Sequence, residues 1–136
     1  MFAYDAKFTV SWQFSDPTAD ASFLVWRVPT GVAKIEILEA WVATDTALSA
    51  GTANGHPVSL LNGGTAGTAT ATLAGAVGTA LSGTYSAWVA NTPREFTISE
   101  GTMTEGQYLV VKFDESGTVA PLNLYGQITY IQGVGA

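Results

Sequence analysis

Hydrophobic and polar residues alternate with a period of two in several short stretches of this chain. From Lys7 to Phe14 every even-numbered residue is large and apolar, and every odd-numbered residue is polar. This alternation predicts a β-strand with one buried and one exposed face, because successive side chains of a strand point to opposite sides. Asp16-Pro17 follows, and the strand is expected to end there because proline cannot donate to a strand ladder.

A second apolar run, Val32 to Thr44, changes phase in its middle. Its two apolar sets have opposite parity: Ile35 and Ile37, then Leu38, Ala40 and Val42. One extra residue at Ile37-Leu38, a β-bulge, accounts for the change. A helix over Glu36 to Val42 is the alternative, but Ile, Trp and Val favour a pleated strand.

Six further stretches have strand character: Phe23–Val28, Pro57–Leu61, Tyr85–Val89, Arg94–Ser99, Tyr108–Asp114 and Asn123–Gln132. The run from Tyr108 is apolar on both faces, which predicts a central strand that is covered on both sides. Pro29-Thr30-Gly31 is typical of a tight turn. About eight strands separated by turn residues predict one all-β domain over residues 1–136, with the antiparallel strands forming a β-sandwich or barrel.

Residues 63–84 have an unusual composition, since 6 Gly, 6 Ala and 6 Thr fill 18 of the 22 positions. No Asp, Glu, Lys or Arg occurs from Thr46 through Pro93. A solvated loop and a flat strand through the alternating Thr68–Thr72 both fit this composition. An uncharged surface also suits contact with another subunit, because no ionic group has to be desolvated. The predicted interface residues are the large apolar side chains in and beside this segment: Leu73, Val77, Leu81, Tyr85 and Trp88.

Composition and charge exclude several classes of function. With 5 basic and 11 acidic residues the formal net charge is −6, and a stripe of basic residues that would bind nucleic acid is not predicted. There is no cysteine, so disulfides, thiol catalysis and thiolate zinc sites are excluded. The N-terminal residues do not resemble a secretory signal, and no apolar run is long enough for a membrane-spanning helix. We therefore expect synthesis in a cytoplasm and no membrane partner.

The acidic residues offer only weak candidates for catalysis or metal binding. They are two carboxylate pairs for a glycosidase-like reaction, Glu36 with Glu39 and Asp114 with Glu115, and a loop pair for calcium, Asp16 with Asp20. The single histidine, His56, lies in a turn-like Asn-Gly-His-Pro sequence. Acidic residues on exposed strand faces and turns are common, so no catalytic residue, metal or cofactor is predicted, and a hydrolase is retained only as a third hypothesis.

The four tryptophans differ in their settings. Trp12 belongs to the apolar face of the first strand and is predicted to lie in the core. Trp26 and Trp41 lie within strands, where core and exposed positions are both open. Trp88 follows the small-residue segment and is predicted to face solvent or a subunit contact. Exposed aromatic rings on a sandwich stack on sugars, so Trp88 and Trp41 are also the glycan-stacking candidates of an alternative function, a fibre or carbohydrate-binding module.

Several motifs together resemble the small jelly-roll decoration (cement) proteins on the capsids of tailed bacteriophages. They are the turn Val28–Gly31 leading into Ile35–Thr44, the Asn62-Gly63-Gly64 turn with its Thr/Ala/Gly continuation, and Glu105–Val111 followed by a closing strand through Tyr130. The similarity extends over most of the chain from about Val28 onward. Gly106-Gln107 stands where such proteins often carry Gly-Asp.

The resemblance implies a jelly-roll sandwich and a structural role on the exterior of a virion. Such proteins commonly form trimers over the gaps between major capsid subunits, so the implied partners are the major capsid protein and further copies of this chain. No enzymatic activity is expected for that role. The resemblance thus predicts a homotrimeric capsid decoration protein that stabilises the shell.

Overall fold

The computed structural model describes residues 2–15, 21–47, 57–77, 80–81, 84–85, 88–114 and 123–133. Regular structure within those ranges consists of eleven strands: β1 Phe2–Ser15, β2 Ala21–Arg27, β3 Lys34–Thr44, β4 Val58–Asn62, β5 Ala71–Val77, β6 Ala80–Leu81, β7 Thr84–Tyr85, β8 Arg94–Glu95, β9 Thr102–Thr104, β10 Tyr108–Phe113 and β11 Asn123–Gly133. The predicted all-β class is therefore confirmed.

Nine of these strands form two antiparallel sheets. The first sheet has the order β1-β11-β3-β8, with β9 also paired to β3, and the second has the order β2-β10-β4-β5. The strands pair as the two arms of one long folded hairpin: β1 with β11, β2 with β10, β3 with β8 and β9, and β4 with β5. An antiparallel ribbon wrapped into two facing sheets is a jelly roll. Counting β8 and β9 as one interrupted edge strand gives eight strands in the two sheets, the predicted number but not the predicted set. β5 stands in place of the predicted strand Tyr85–Val89, of which only Tyr85 lies in a described strand, β7, outside these two sheets.

The alternation in β1 determines which of its side chains reach the core. Trp12 is buried, and Val10 and Phe14 pack against the core, whereas the odd-numbered residues from Lys7 to Gln13 are exposed. Phe14 stacks on Phe23 of β2, with ring centroids 3.9 Å apart, and so joins the two sheets. The core between the sheets is formed by large apolar side chains that include Ile35, Leu60, Leu109, Phe113, Leu124 and Ile128.

The predicted bulge in β3 is present. Glu39 pairs with Thr129 and Ile37 with Tyr130, so Leu38 has no partner on β11. The alternation predicts that Leu38 is apolar on the same face as Ala40 and Val42. Its side chain is instead exposed, because Leu38 is itself the extra residue of the bulge. Ile37 precedes the bulge and Ala40 follows it, and both face the core. The helical alternative for this run is wrong.

Part of the small-residue segment has regular structure. A turn at residues 64–67 precedes β5, whose backbone pairs with β4 through Leu60–Ala74 and Leu61–Thr72. Gly64 and Gly67 adopt φ values of 67° and 78°, which belong to the turn. The strand begins at Ala71, so only the last two residues of the alternating Thr68–Thr72, for which a loop and a flat strand were both open, lie in a strand. Residues 78–79 and 82–83 of the segment lie outside the described part of the chain.

The stretch from Arg94 to Ser99, predicted as one strand, instead crosses from one sheet to the other. Only Arg94 and Glu95 pair with β3 as β8. The amide of Phe96 donates to the carbonyl of Ala40 at 2.9 Å, and the amide of Ser99 donates to that of Leu73 at 2.9 Å. The crossing chain satisfies backbone groups of both sheets and closes that side of the sandwich.

Candidate functional site

Two of the predicted interface residues lie in the core and not on the surface. Trp88 is 2% exposed, with the guanidinium of Arg94 4.6 Å from its ring centroid. Leu73 is 1% exposed, beneath the crossing chain that contains Ser99 and Glu100. Neither side chain is accessible to a partner, so the prediction that they form a contact surface is wrong. It failed because residues distant in sequence cover them.

The other three predicted interface residues are placed by their backbones only. Val77 ends β5, Leu81 ends β6 and Tyr85 ends β7. Their side chains lie outside the described part of the structure, so their role at an interface stays a prediction.

The accessible part of the small-residue segment is the neutral ridge, which we define as Thr68, Ala69, Thr70, Ala71 and Thr72. All five residues are exposed. The turn before the ridge is tied down by three hydrogen bonds: the amide of Gly64 donates to Asn62 Oδ1 at 2.9 Å, the amide of Ala69 to the carbonyl of Gly63 at 2.9 Å, and the amide of Tyr108 to the carbonyl of Gly64 at 3.0 Å. The ridge is thus a short, uncharged surface held against the second sheet.

A shallow groove of about 320 Å³ lies beside the neutral ridge, on the outward face of the second sheet. Its lining combines small and hydroxyl side chains with one apolar and one basic residue: Ser22, Ser59, Leu61, Thr70, Thr72, Gly75 and Lys112. Lys112 forms an exposed ion pair with Asp114 at 3.6 Å. The groove and the ridge together form a nearly uncharged region at one edge of the sandwich.

The first sheet carries a second concavity on its outward face, the aromatic pit, of about 390 Å³. It is lined by six uncharged residues: Ser11, Trp12, Gln13, Trp41, Tyr125 and Gly126. Gly126 pairs with Trp12 on one side and with Val42 on the other, and the Trp12 indole fills the space on the core side that a side chain here would take. Trp41 and Tyr125 stand beside Gly126 in an edge-to-face arrangement, with centroids 5.9 Å apart and rings at 88°. Of the two predicted glycan-stacking residues, only Trp41 is therefore accessible.

The end of the first sheet is fixed by Asp45 and Asn123. Asp45 Oδ1 accepts from the Asn123 amide at 2.8 Å, and Asp45 Oδ2 accepts from Asn123 Nδ2 at 2.6 Å. These bonds, led by the side-chain bond from Asn123, hold the pKa of Asp45 below its ordinary value. This carboxylate therefore has a structural role where β3 ends and β11 begins.

Three of the carboxylates considered for catalysis or metal binding lie in the described part of the chain. Glu36 and Glu39 flank the bulge in β3, and Asp114 pairs with Lys112. Asp16, Asp20, His56 and Glu115 lie outside the described residues. Within the described ranges, no group of three or more His, Cys, Asp or Glu residues is arranged to hold a metal ion. The same ranges contain no helix that is long and apolar enough to cross a membrane.

The order and pairing of the strands define the fold class as an antiparallel jelly-roll sandwich. A solved structure described as the Cyanophage Pam1 capsid asymmetric unit contains a chain of the same fold, with a TM-score of 0.56 and 18% sequence identity. The match covers 94% of this chain and 84% of that chain. No protein-family model and no curated protein matches the sequence.

Proposed function

We propose that this protein is a structural component of a bacteriophage virion that decorates the capsid exterior. In this proposal a homotrimer binds across adjacent major capsid subunits, stabilises the shell and catalyses no reaction. The observation that carries the proposal is the fold shared along 94% of the chain with a chain from a cyanophage capsid. The motifs that resemble decoration proteins support the same role independently.

The neutral ridge and the groove beside it are the surface that we propose for contact with the shell. Desolvating a charge is costly, and the five side chains of the ridge carry none. Threonine and alanine also lose little side-chain entropy when they become ordered at an interface. A contact made of such residues is weak in one copy. In a trimer, three such contacts would act together, because binding of the first copy raises the effective concentration of the other two at the shell.

Shell binding is the direct test. Purified protein is mixed with shells assembled without it, and binding is measured by co-sedimentation, with light scattering of the free protein to determine its oligomeric state. We expect saturable binding at a fixed ratio to the major capsid protein, a trimer in solution, and shells that break at a higher temperature once decorated. Shells that neither bind the protein nor gain heat resistance would overturn the proposal.

The contact surface is tested with one added charge. Thr70→Asp puts a carboxylate on the neutral ridge, and we expect shell binding to weaken at least tenfold because this charge must be desolvated on docking. Thr9→Asp is the matched control, since Thr9 is also an exposed threonine but lies on β1 at the opposite edge of the sandwich. Equal binding by the two variants would exclude the ridge as the contact, whereas binding lost only in Thr70→Asp would support it.

A further inference from the structure

The Trp12 indole closes the bottom of the aromatic pit from the core side. Trp12 is 6% exposed, and a Cβ atom built on Gly126 would lie 2.4 Å from its Cζ2 and 2.8 Å from its Cε2. The indole therefore fills the space that a side chain at Gly126 would take. Its Nε1 is buried and has no hydrogen-bond partner among the described residues, as is also true of Trp88 Nε1, so this donor is not accessible to a ligand in the pit.

The side of the pit is formed by the faces and edges of two aromatic rings. Trp41 and Tyr125 are both partly exposed and meet at a right angle. The Tyr125 hydroxyl donates to Asn91 Oδ1 at 2.9 Å, which fixes the position of the phenol ring. An aromatic face carries negative charge density, and the C–H groups of a sugar ring are weakly positive, so such a ring attracts the apolar side of a pyranose. The two rings thus form a corner that suits a flat, partly apolar molecule.

The surrounding polar groups are neutral. Ser11 Oγ contacts Gln127 Oε1 at 3.3 Å across the β1–β11 pair, and Gln13 lies next along β1. Amides and hydroxyls both donate and accept hydrogen bonds, as sugar hydroxyls do. None of the six residues that line the pit is charged, and the acidic Glu95 lies opposite Trp41 on β8. The lining therefore favours a neutral ligand over an anionic one.

We propose that the aromatic pit binds a neutral hexopyranose, either free or as the end of a glycan. The sugar would stack on Trp41, contact Tyr125 along its edge, and exchange hydrogen bonds with the side chains of Ser11 and Gln13. A volume of about 390 Å³ lies at the lower end of the range of ligand pockets, which suits one sugar ring. This inference does not depend on the capsid role, because the pit is on the first sheet and the neutral ridge is on the second.

The binding test follows the indole N–H signals of the free protein by ¹H–¹⁵N NMR. Methyl glycosides of glucose, galactose, mannose and N-acetylglucosamine are titrated separately, with each indole signal assigned from a Trp→Phe variant. We expect at least one sugar to shift the Trp41 signal saturably and to leave the Trp88 signal unchanged. If none of the four sugars shifts the Trp41 signal, or if a saturable shift appears at Trp88 alone, the proposal is overturned.

Variants then separate stacking from folding. Trp41→Ala is expected to weaken binding at least tenfold, and Trp41→Tyr to restore part of it because an aromatic face is retained. Leu24→Ala, an exposed apolar truncation on the second sheet, serves as the control with unchanged affinity. If Trp41→Ala does not fold, Gln13→Ala replaces it and is expected to weaken binding several-fold through the lost amide. A folded Trp41→Ala, or the replacement Gln13→Ala, that binds as tightly as the unchanged protein would refute the site.

The exposed Trp41 and Tyr125 rings have a competing explanation, which is that a protein of the shell covers them. Adding shells in place of sugar distinguishes the two explanations. Signal changes at Trp41 that appear only with shells, and with none of the four sugars, would assign the pit to a protein contact and overturn the sugar proposal. Sugar-induced shifts in protein that does not bind shells would support the pit and count against the capsid role alone.

Discussion

The outward faces of the two sheets differ in how far another segment of the chain covers them. On the second sheet, Val110 of β10 points away from the core but is only 3% exposed, because the turn at residues 63–67 lies over it. On the first sheet, Trp41 and Tyr125 also point outward but stay partly exposed, with Asn91 in contact with the Tyr125 hydroxyl. An apolar face that the chain itself covers contributes to stability. An aromatic face left open beside neutral polar groups is available for a ligand.

This difference between the two outward faces arises from the sequences of the strands that form them. β10 is apolar at successive positions and pairs on both edges, with β2 and β4, so its outer side needs a cover. β1 alternates strictly from Lys7 to Phe14, so its outward residues there are polar and need none. On β11 the outward Tyr125 is aromatic, and together with Trp41 of β3 it forms the side of the aromatic pit.

Adding a side chain at Gly126 is expected to have the largest effect. In Gly126→Ala, the new Cβ would lie 2.5 Å from the carbonyl oxygen of Trp41 and would also collide with the Trp12 indole. Both neighbours are constrained, one by the backbone ladder and the other by the core, so we expect a loss of about 2–3 kcal/mol in the free energy of unfolding. Urea denaturation followed by circular dichroism measures it.

Gly75→Ala is the matched control for that substitution. A Cβ at Gly75 meets no atom within 4 Å, so its stability should change by less than about 0.5 kcal/mol. Equal midpoints for the two alanine variants would show that the Trp12 indole does not fill the space above Gly126, and the proposed geometry of the pit floor would fail with it.

The covered face of the second sheet is tested by truncating one residue under the turn. Val110→Ala removes two buried methyl groups, and we expect a loss of about 2 kcal/mol. Leu24→Ala is the comparison on the same outward face, because Leu24 pairs with Val110 but is 57% exposed. Its truncation should cost less than about 1 kcal/mol. A larger loss for Leu24 than for Val110 would contradict the covering role of the 63–67 turn.

The regular strands could be predicted from the sequence because their register is fixed by burial. A shift of one residue would move Val10, Trp12 and Phe14 from the core to solvent, so the alternation of β1 leaves one solution even though Phe8, on the same face, is 39% exposed. The bulge in β3 was predictable for the same reason, since Ile37 and Ala40 both face the core and only an extra residue reconciles them. Leu38 was assigned to the wrong side because parity alone does not say which residue of a bulge is the extra one.

Features that depend on distant partners could not be predicted in this way. Trp88 follows small residues and has no alternating neighbours, and its burial depends on Arg94 and on packing between the sheets. The small-residue segment has weak patterning, so its turn and strand were not separated. Trp41 was a candidate from the sequence, but Tyr125 and Gly126 join it only through the order β1-β11-β3, which local patterns do not contain.

The smallest expected effect is a pH dependence at the end of the first sheet. Hydrogen bonds from Asn123 lower the pKa of Asp45 in the folded protein, so the ionised carboxylate stabilises the fold at pH values above the unfolded pKa of about 3.9. That contribution is lost as the pH falls through the lower, folded pKa. Asp45→Asn should therefore be less stable than the unchanged protein at pH 6, and the difference should shrink as the pH is lowered below about 4. Urea midpoints measured across this range test the prediction.

The control for the Asp45 measurement is Gln13→Ala. This variant removes the 3.5 Å contact between Gln13 Nε2 and Asn123 Oδ1 and leaves both hydrogen bonds to Asp45 in place. The acid limb of its stability curve should then follow that of the unchanged protein. A constant difference between Asp45→Asn and the unchanged protein at all pH values would mean that Asp45 and Asn123 contribute through shape alone. This end of the first sheet would then be stabilised by packing contacts, as the covered face of the second sheet is.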